Sequence, residues 1–415
     1  MFGIKTKIIR NLEKKFEASA LKQKTPTIIE QILLSLLIKN KLKADAQVID
    51  IQGPLAKHVN SIAFSTIRNT ANYMPNNLGN WSIKKGHSFT SKIEHQLIEA
   101  IKQYYHCGQE IAGHFGSGST EGNIYATWIG RNYLMQELSL KNLKKIILIK
   151  SCLAHYSIDK AANITGVNLV EASIDKRQFN LDPKELIKQI DNLYKQGFRG
   201  FLIPLTLGYT ITGTDDDYEN IAQIIEQYEK IHTDCKFFLW LDAAFAGISK
   251  IYTEKIFTPL KHKNIKLITA DFHKFLAVPY PASFMLYRKN LLKLIEKEIP
   301  YIGQSDTTLL GSRPGINVLV TWMTLLNLGK QKILRSINQA LQKKENFLLK
   351  IAADNLDIQI INNKNSLHAC IVTTSTIAEK KLKFKYQLKP IEQRLIFRKK
   401  SMNTKIYKLY FFVEI

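Results

Sequence analysis

Between Lys145 and Asp242 the chain alternates short, continuously apolar runs with amphipathic stretches of helical period, and nothing else in the sequence restricts the fold as much. Lys145–Ile149, Val167–Glu171, Phe201–Ile203 and Phe237–Leu241 read as strands, while His155–Ile164, Asp182–Tyr194 and Asp217–Lys230 read as helices. Strands that are apolar at nearly every position need cover on both faces, and intervening helices supply it through parallel crossovers. The expectation is an α/β domain with a mainly parallel central sheet. Ligands of such sheets sit at the carboxyl ends of the strands. That rule gathers Lys150-Ser151-Cys152, Leu205-Thr206-Leu207-Gly208, Asp242-Ala243-Ala244 and His273-Lys274 around one cleft.

The flanks read differently. Met1–Lys24 is basic and roughly amphipathic, without the continuous apolar core of a secretory signal. Thr27–Lys39 reads as a strongly apolar helix, and the stretch from Gly53 to Trp81 as loop. Ser91 with Glu94 reads as a capping box for a helix running to Tyr105. After the glycine- and hydroxyl-rich Gly303–Gly315, with Arg313 its one cation, come helices over Asn317–Leu328 and Gln331–Ile351. Short strands over Leu356–Ile361, Leu367–Thr373 and Ile406–Phe412 close the chain. The expected organisation is an N-terminal segment over 1–80, a large domain over 81–330 and a small α+β domain over 331–415.

Composition excludes little but bounds the classes. The chain carries 59 Lys and Arg against 35 Asp and Glu, a net charge of +24 that would attract polyanions. The lysines are spread along the whole chain and no recognisable nucleic-acid module accompanies them, so no specific nucleic acid is expected as partner. Cys107, Cys152, Cys235 and Cys370 are too scattered for a zinc site and too few for a disulfide framework, so a reducing cytoplasm is the expected compartment. No apolar run approaches the ~20 residues of a membrane span.

Three stretches carry chemistry. In Asp271-Phe272-His273-Lys274 a strand delivers a lysine beside a histidine, which suits an amine desolvated to hold an aldehyde cofactor as a Schiff base. Asp242, directly after five apolar residues, is costly to bury without a cation or strong donor, and a protonated pyridine nitrogen is such a partner. Gly113–Asn123 sets glycines and the hydroxyls of Ser119 and Thr120 ahead of a helix, a phosphate cradle without the P-loop lysine. His155 stands where a helix begins, either flat over a cofactor ring or as a cap. Each feature alone also admits a plain structural role: one lysine among many, a turn-capping aspartate, an ordinary helix start.

Together, Ser117-Gly118-Ser119-Thr120-Glu121-Gly122-Asn123, Ala154-His155-Tyr156-Ser157, Asp242-Ala243-Ala244, His273-Lys274 and Asp306–Arg313 stand in the order found in group II pyridoxal-phosphate-dependent decarboxylases. The Thr-Glu-Gly-Asn and Asp-Thr-Thr forms look most like the bacterial histidine decarboxylase branch and its plant serine decarboxylase relatives. The resemblance implies the aspartate-aminotransferase fold (fold type I of the PLP-dependent transferases), pyridoxal 5'-phosphate as cofactor, an amino acid as substrate and a homodimer with active sites at its interface. It implies that Lys274 forms the Schiff base, that Asp242 keeps the pyridine nitrogen protonated and that His155 stacks on the ring. It further implies that Ser119, Thr120 and His273 contact the phosphate and that Ala244 lies among the cofactor contacts. The implied activity is decarboxylation, with histidine the favoured substrate. A carbon–carbon lyase of the sphingosine-phosphate lyase type, or a catalytically weakened binding protein, are the alternatives. Departures from the family pattern support them. Tyr209 replaces a small hydroxyl expected near the ring, Asp271 resembles the archaeal tyrosine decarboxylase and sphingosine-phosphate lyase branches, Gly311-Ser312-Arg313-Pro314-Gly315 leans toward the lyase, and Lys385–Ile415 has no clear match.

Overall fold

The apolar runs form the centre of a seven-stranded sheet of order β2-β8-β7-β6-β5-β3-β4. The computed structural model describes residues 60–73, 75–78, 89–300, 304–391 and 404–411, and Leu36. The expected Met1–Lys24 amphipathic segment and the Thr27–Lys39 helix apart from Leu36 lie outside the described residues, whereas the described part of the expected Gly53–Trp81 loop forms a helix over Ser61–Thr70, capped by the Asn60 side chain, and a strand over Asn76–Leu78.

In chain order the described elements begin with α1 (Ser61–Thr70), β1 (Asn76–Leu78), α2 (Phe89–Tyr104), β2 (Ile111–Gly116) and α3 (Ser119–Glu137). Next come β3 (Ile146–Ser151), α4 (Ser157–Thr165), β4 (Asn168–Ala172), α5 (Pro183–Lys195), β5 (Gly200–Thr206), α6 (Tyr218–Ile231) and β6 (Lys236–Asp242). Then follow α7 (Gly247–Thr253), β7 (Ile265–Asp271), β8 (Ser283–Arg288), β9 (Lys297–Ile299), β10 (Gln304–Asp306) and β11 (Ser312–Pro314). The last are α8 (Gly315–Ala352), β12 (Gln359–Asn362), β13 (His368–Thr373), α9 (Thr376–Tyr386) and β14 (Lys405–Tyr410). Non-helical torsions at Gly329 (φ 64°, ψ 163°) divide α8 into the two helices expected there.

β3 to β7 pair in parallel, while β8 runs against both β7 and β2. Alternate residues of each central strand enter two cores on opposite faces. Phe201, Ile203, Leu239 and Leu241 pack on one side, and Leu202, Phe238 and Trp240 on the other, against Tyr125 and Ile129 of α3. Each such fully buried side chain contributes about 1.5–3 kcal/mol, which explains why these strands read as unbroken apolar runs. Asp182 and Asp217 are N-caps rather than first helical residues, their carboxylates accepting from backbone N–H groups of α5 and α6.

Two local expectations are corrected. Gly113–Gly116 is strand, not loop, because β8 offers it a complete antiparallel ladder from Ile111↔Arg288 to Gly116↔Ser283. Ser91 is the third residue of α2 rather than the residue ahead of it. Glu94 turns instead to buried Arg313 (2.5 Å) and the Phe115 N–H (2.9 Å), since a buried guanidinium must be paired. A second antiparallel sheet, β12-β13-β14, forms from the end of the chain.

Candidate active site

The carboxyl ends of β6 and β7 meet the start of α3, where Asp242 bonds Asn123 and Asp271 bonds Ser119, and His155, His273 and Lys274 of the expected set stand around these contacts. Gly122 permits this approach, because a Cβ on it would lie 2.3 Å from Thr269 Oγ1 of β7. Gly118 occupies the N-cap position (φ 150°) and offers no side chain. A Cβ at Gly118 would meet only His273 Cε1, at 3.8 Å, so the helix start keeps room for an anion.

Lys274 follows β7 with its side chain largely buried. Its Nζ lies 3.0 Å from Asp271 Oδ2 and 4.3 Å from the centroid of the Phe245 ring. Asp271 Oδ1 accepts from both the N–H and the hydroxyl of Ser119, each at 2.8 Å. Burial alone would raise the Asp271 pKa, but the Lys274 ammonium, His273 and the Ser119 hydroxyl outweigh it and hold the carboxyl below its ordinary value. Both Ser119 donors are therefore directed at Asp271, which the sequence did not indicate. His273 is buried, with Nδ1 2.8 Å from the Ala282 carbonyl oxygen and Nε2 3.6 Å from Asp271. Burial pushes its pKa down against the pull of Asp271. Thr120 is half-buried in the first turn of α3.

Asp242 ends β6 almost fully buried. Its Oδ2 accepts from Asn123 Nδ2 (2.7 Å) and its Oδ1 from the Ala244 N–H (3.2 Å). His155 precedes α4, with Nδ1 2.9 Å from Ser157 Oγ. Burial lowers the His155 pKa; Asp242 and Asp271 oppose this, whereas Lys274 and Lys160 add to it. Asn123 and Ser157 stood within quoted motifs without a role, and Trp240 within a strand. Asn123 lies four residues beyond Ser119, hence on the same face of α3, which was the signal available for it.

Tyr209 does not crowd this cleft in the way its replacement of a small hydroxyl suggested. It is buried, and its hydroxyl bonds both oxygens of Asp216, at 2.9 and 2.8 Å. Arg313 likewise turns to Glu94 and to the Phe115 carbonyl (2.6 Å). The small sheet closes the lysine side. Tyr410 donates its hydroxyl to the Lys274 carbonyl (3.0 Å), His368 meets Phe245 edge-on with centroids 4.6 Å apart, and Lys408 Nζ lies 5.2 Å from the Phe245 centroid. No sequence signal marked these three residues, because β13 and β14 reach the site only through the tertiary fold.

This set fits a phosphorylated pyridine aldehyde. A buried amine faces the cleft, a carboxylate at a strand end suits a protonated ring nitrogen, an imidazole lies beside both, and a helix start can receive phosphate.

Residues 90–372 match the model of the pyridoxal-dependent decarboxylase conserved domain. A tryptophan decarboxylase of Clostridium sporogenes is 32% identical over 63% of this chain and 62% of its own length. An L-aspartate/L-glutamate decarboxylase of Pyrococcus horikoshii is 31% identical over 65% of this chain and 66% of its own. The chain thus spans a little under two thirds of each relative. L-Methionine decarboxylase from Streptomyces sp. 590 has the same fold, with TM-score 0.76 and 16% identity over 94% of this chain and 92% of that one.

Proposed function

The chain belongs to the pyridoxal-dependent decarboxylase family, and on that footing we propose that it is a pyridoxal-phosphate-dependent amino-acid decarboxylase. The observation that carries this reading is the meeting of Lys274, Asp242 and His155 in one buried cleft at the start of α3. Bound pyridoxal phosphate supplies an aldehyde for amine exchange and a ring that accepts the electron pair left when CO2 departs.

The chain's own residues supply the setting. Lys274 is the covalent anchor, its amine held between the Asp271 carboxylate and the Phe245 ring. Asp242, desolvated and fixed by Asn123, favours a protonated ring nitrogen, which strengthens the electron sink. His155 would hold the face of the bound ring. Thr120, His273 and the start of α3 receive the phosphate, while Ser119 orders Asp271 beside them. Ala244 contributes through its N–H to Asp242. Phe245, His368 and Tyr410 keep water from Lys274.

The reading includes a homodimer. It is supported by the exposed aromatic faces of Tyr156 and Tyr280, whose rings lie 4.3 Å from His155 and 4.1 Å from His273. Among the described residues no helix is long and apolar enough to cross a membrane.

The substrate is tested by CO2 release from a panel of amino acids in the presence of pyridoxal phosphate. Histidine, which the motif forms favour, stands in it beside the tryptophan, aspartate and glutamate after which the relatives are named. One amino acid should release CO2, and Asp242→Ala should retain cofactor while losing about 10²-fold or more in turnover. No CO2 from any member, with a carbon–carbon cleavage product from a phosphorylated amine, would replace this reading with the lyase. Near-normal turnover in Asp242→Ala would remove the role given to that carboxylate.

A further inference from the structure

We infer that Trp240, Asn123 and Ser157 form a one-way hydrogen-bond chain that fixes His155 as the neutral Nε2–H tautomer, making His155 a hydrogen-bond donor rather than the acid that returns the proton. The inference deepens the proposed function and rests on it for its catalytic meaning, though the chain itself is a property of the protein without cofactor.

The direction of every link follows from donor chemistry. The indole Nε1–H of Trp240 can only donate, and it lies 2.9 Å from Asn123 Oδ1. That contact orients the amide, because the flipped form would set its NH2 group against the indole N–H and its oxygen against a carboxylate. Asn123 Nδ2 then has two hydrogens and two acceptors: Asp242 Oδ2 at 2.7 Å and Ser157 Oγ at 2.9 Å. Asn123, Ser157 and Trp240 are all fully buried, so no water substitutes for these partners. Ser157 Oγ accepts from Asn123, which leaves its own proton for His155 Nδ1, 2.9 Å away.

A separate contact gives the same answer. The backbone N–H of Ser157 also points at His155 Nδ1, at 3.3 Å, and a backbone amide cannot accept. Nδ1 must therefore present its lone pair, and the ring proton resides on Nε2. Charges on three sides act on the ring: Asp242 and Asp271 favour its protonation, while Lys274 and Lys160 oppose it together with burial, the largest influence. Two donors on Nδ1 favour the neutral ring further, since they bond only the unprotonated nitrogen.

A neutral Nε2–H is a poor source of a proton but a well-aimed hydrogen-bond donor. The proton that replaces CO2 then falls to another group, and among the described residues Lys274, 3.0 Å from Asp271 beside the cleft, is placed to supply it. Asn123 serves two ends at once, holding the Asp242 carboxylate and setting the tautomer of His155. It and Ser157 are positioning residues.

The test is ring-nitrogen NMR of the full-length, cofactor-free protein labelled with 15N-histidine, the His155 signal among ten histidines being assigned by its loss in His155→Gln. At neutral pH the wild type should show Nδ1 unprotonated and Nε2 protonated. Ser157→Ala removes one of the two donors on Nδ1 and keeps the backbone N–H of residue 157, so it should raise the pH at which the ring takes up its second proton, while the other histidine signals stay in place to report the fold. Trp240→Phe, which frees the amide to turn, should move that pH in the same direction. A wild-type His155 protonated at Nδ1, or a Ser157→Ala protein in which the pH of that second protonation does not move, would overturn the inference. Absorbance with added pyridoxal phosphate separates the two readings. A protein with the stated tautomer but no visible band contradicts the decarboxylase reading and leaves the hydrogen-bond chain standing. A visible band with Nδ1–H does the reverse.

Discussion

Asp216 shows how a residue outside the cleft carries a pH dependence. It is fully buried; burial raises its pKa, the N–H groups of Thr206 and Leu181 and the Tyr209 hydroxyl only partly offset this, and it comes to about 6. A carboxyl whose folded pKa lies above its unfolded value of about 3.9 binds more protons when folded. The stability it gives is full below pH ~4 and is lost as pH rises through about 6. Tyr209 donates to the charged form, so Tyr209→Phe removes more from the ionised carboxylate than from the protonated acid. The substitution should cost about 1–3 kcal/mol in urea unfolding at pH 8 and clearly less at pH 5. An equal cost at both would contradict the role assigned to the phenol. Asp271, equally buried, has the opposite sign, because Lys274 and the Ser119 hydroxyl reverse the effect of burial. Two buried aspartates thus differ through their donors rather than their depth.

At the scale of elements, the site depends on how closely α3 lies on β7. Gly122→Ala would put a methyl group 2.3 Å from Thr269 Oγ1, and relief requires the start of the helix to lift from the sheet. The expected outcome is about 1–3 kcal/mol of lost stability and weaker pyridoxal phosphate binding, read by urea unfolding and by absorbance titration. Unchanged binding would show that the helix start can move without loss. The helices and strands of the central sheet were legible because their apolar patterns differ in period and their ends carry Asp caps, as at Asp182 and Asp217. The antiparallel β8 was not read, since Ser283–Arg288 follows the Lys274 turn without any periodic contrast to set it apart. Glycines misled at Gly113–Gly116, where a partner strand rather than local preference decides the structure. Of the site, Lys274, Asp242 and His155 were legible as strand-end or helix-start residues. Asn123 and Trp240 were not, because their bonds join residues 117 apart. Phe245, His368 and Tyr410 depend on the small sheet docking on Lys274, which no local pattern encodes.

Across the whole molecule, the lysine excess does not spread only over the surface. Lys150, Lys250 and Lys344 are buried, the first two against Asp159 and Asp215, the third against the carbonyls of Asn363 and Ser366. Lys266 is mostly buried too, and desolvation lowers its pKa to about 8. Burial lowers the pKa of Lys266 and Lys344, which makes their amines competitors for an aldehyde, and Lys274 differs from them by its position at the strand ends beside Asp242 and His155. The most direct measurement is the visible absorbance of the purified protein titrated with pyridoxal phosphate, for the wild type, Lys274→Ala and Lys266→Ala. A visible band is expected in the wild type and in Lys266→Ala, and none in Lys274→Ala. A band that survives loss of Lys274, or that disappears with Lys266 in a folded protein, would contradict the role given to Lys274.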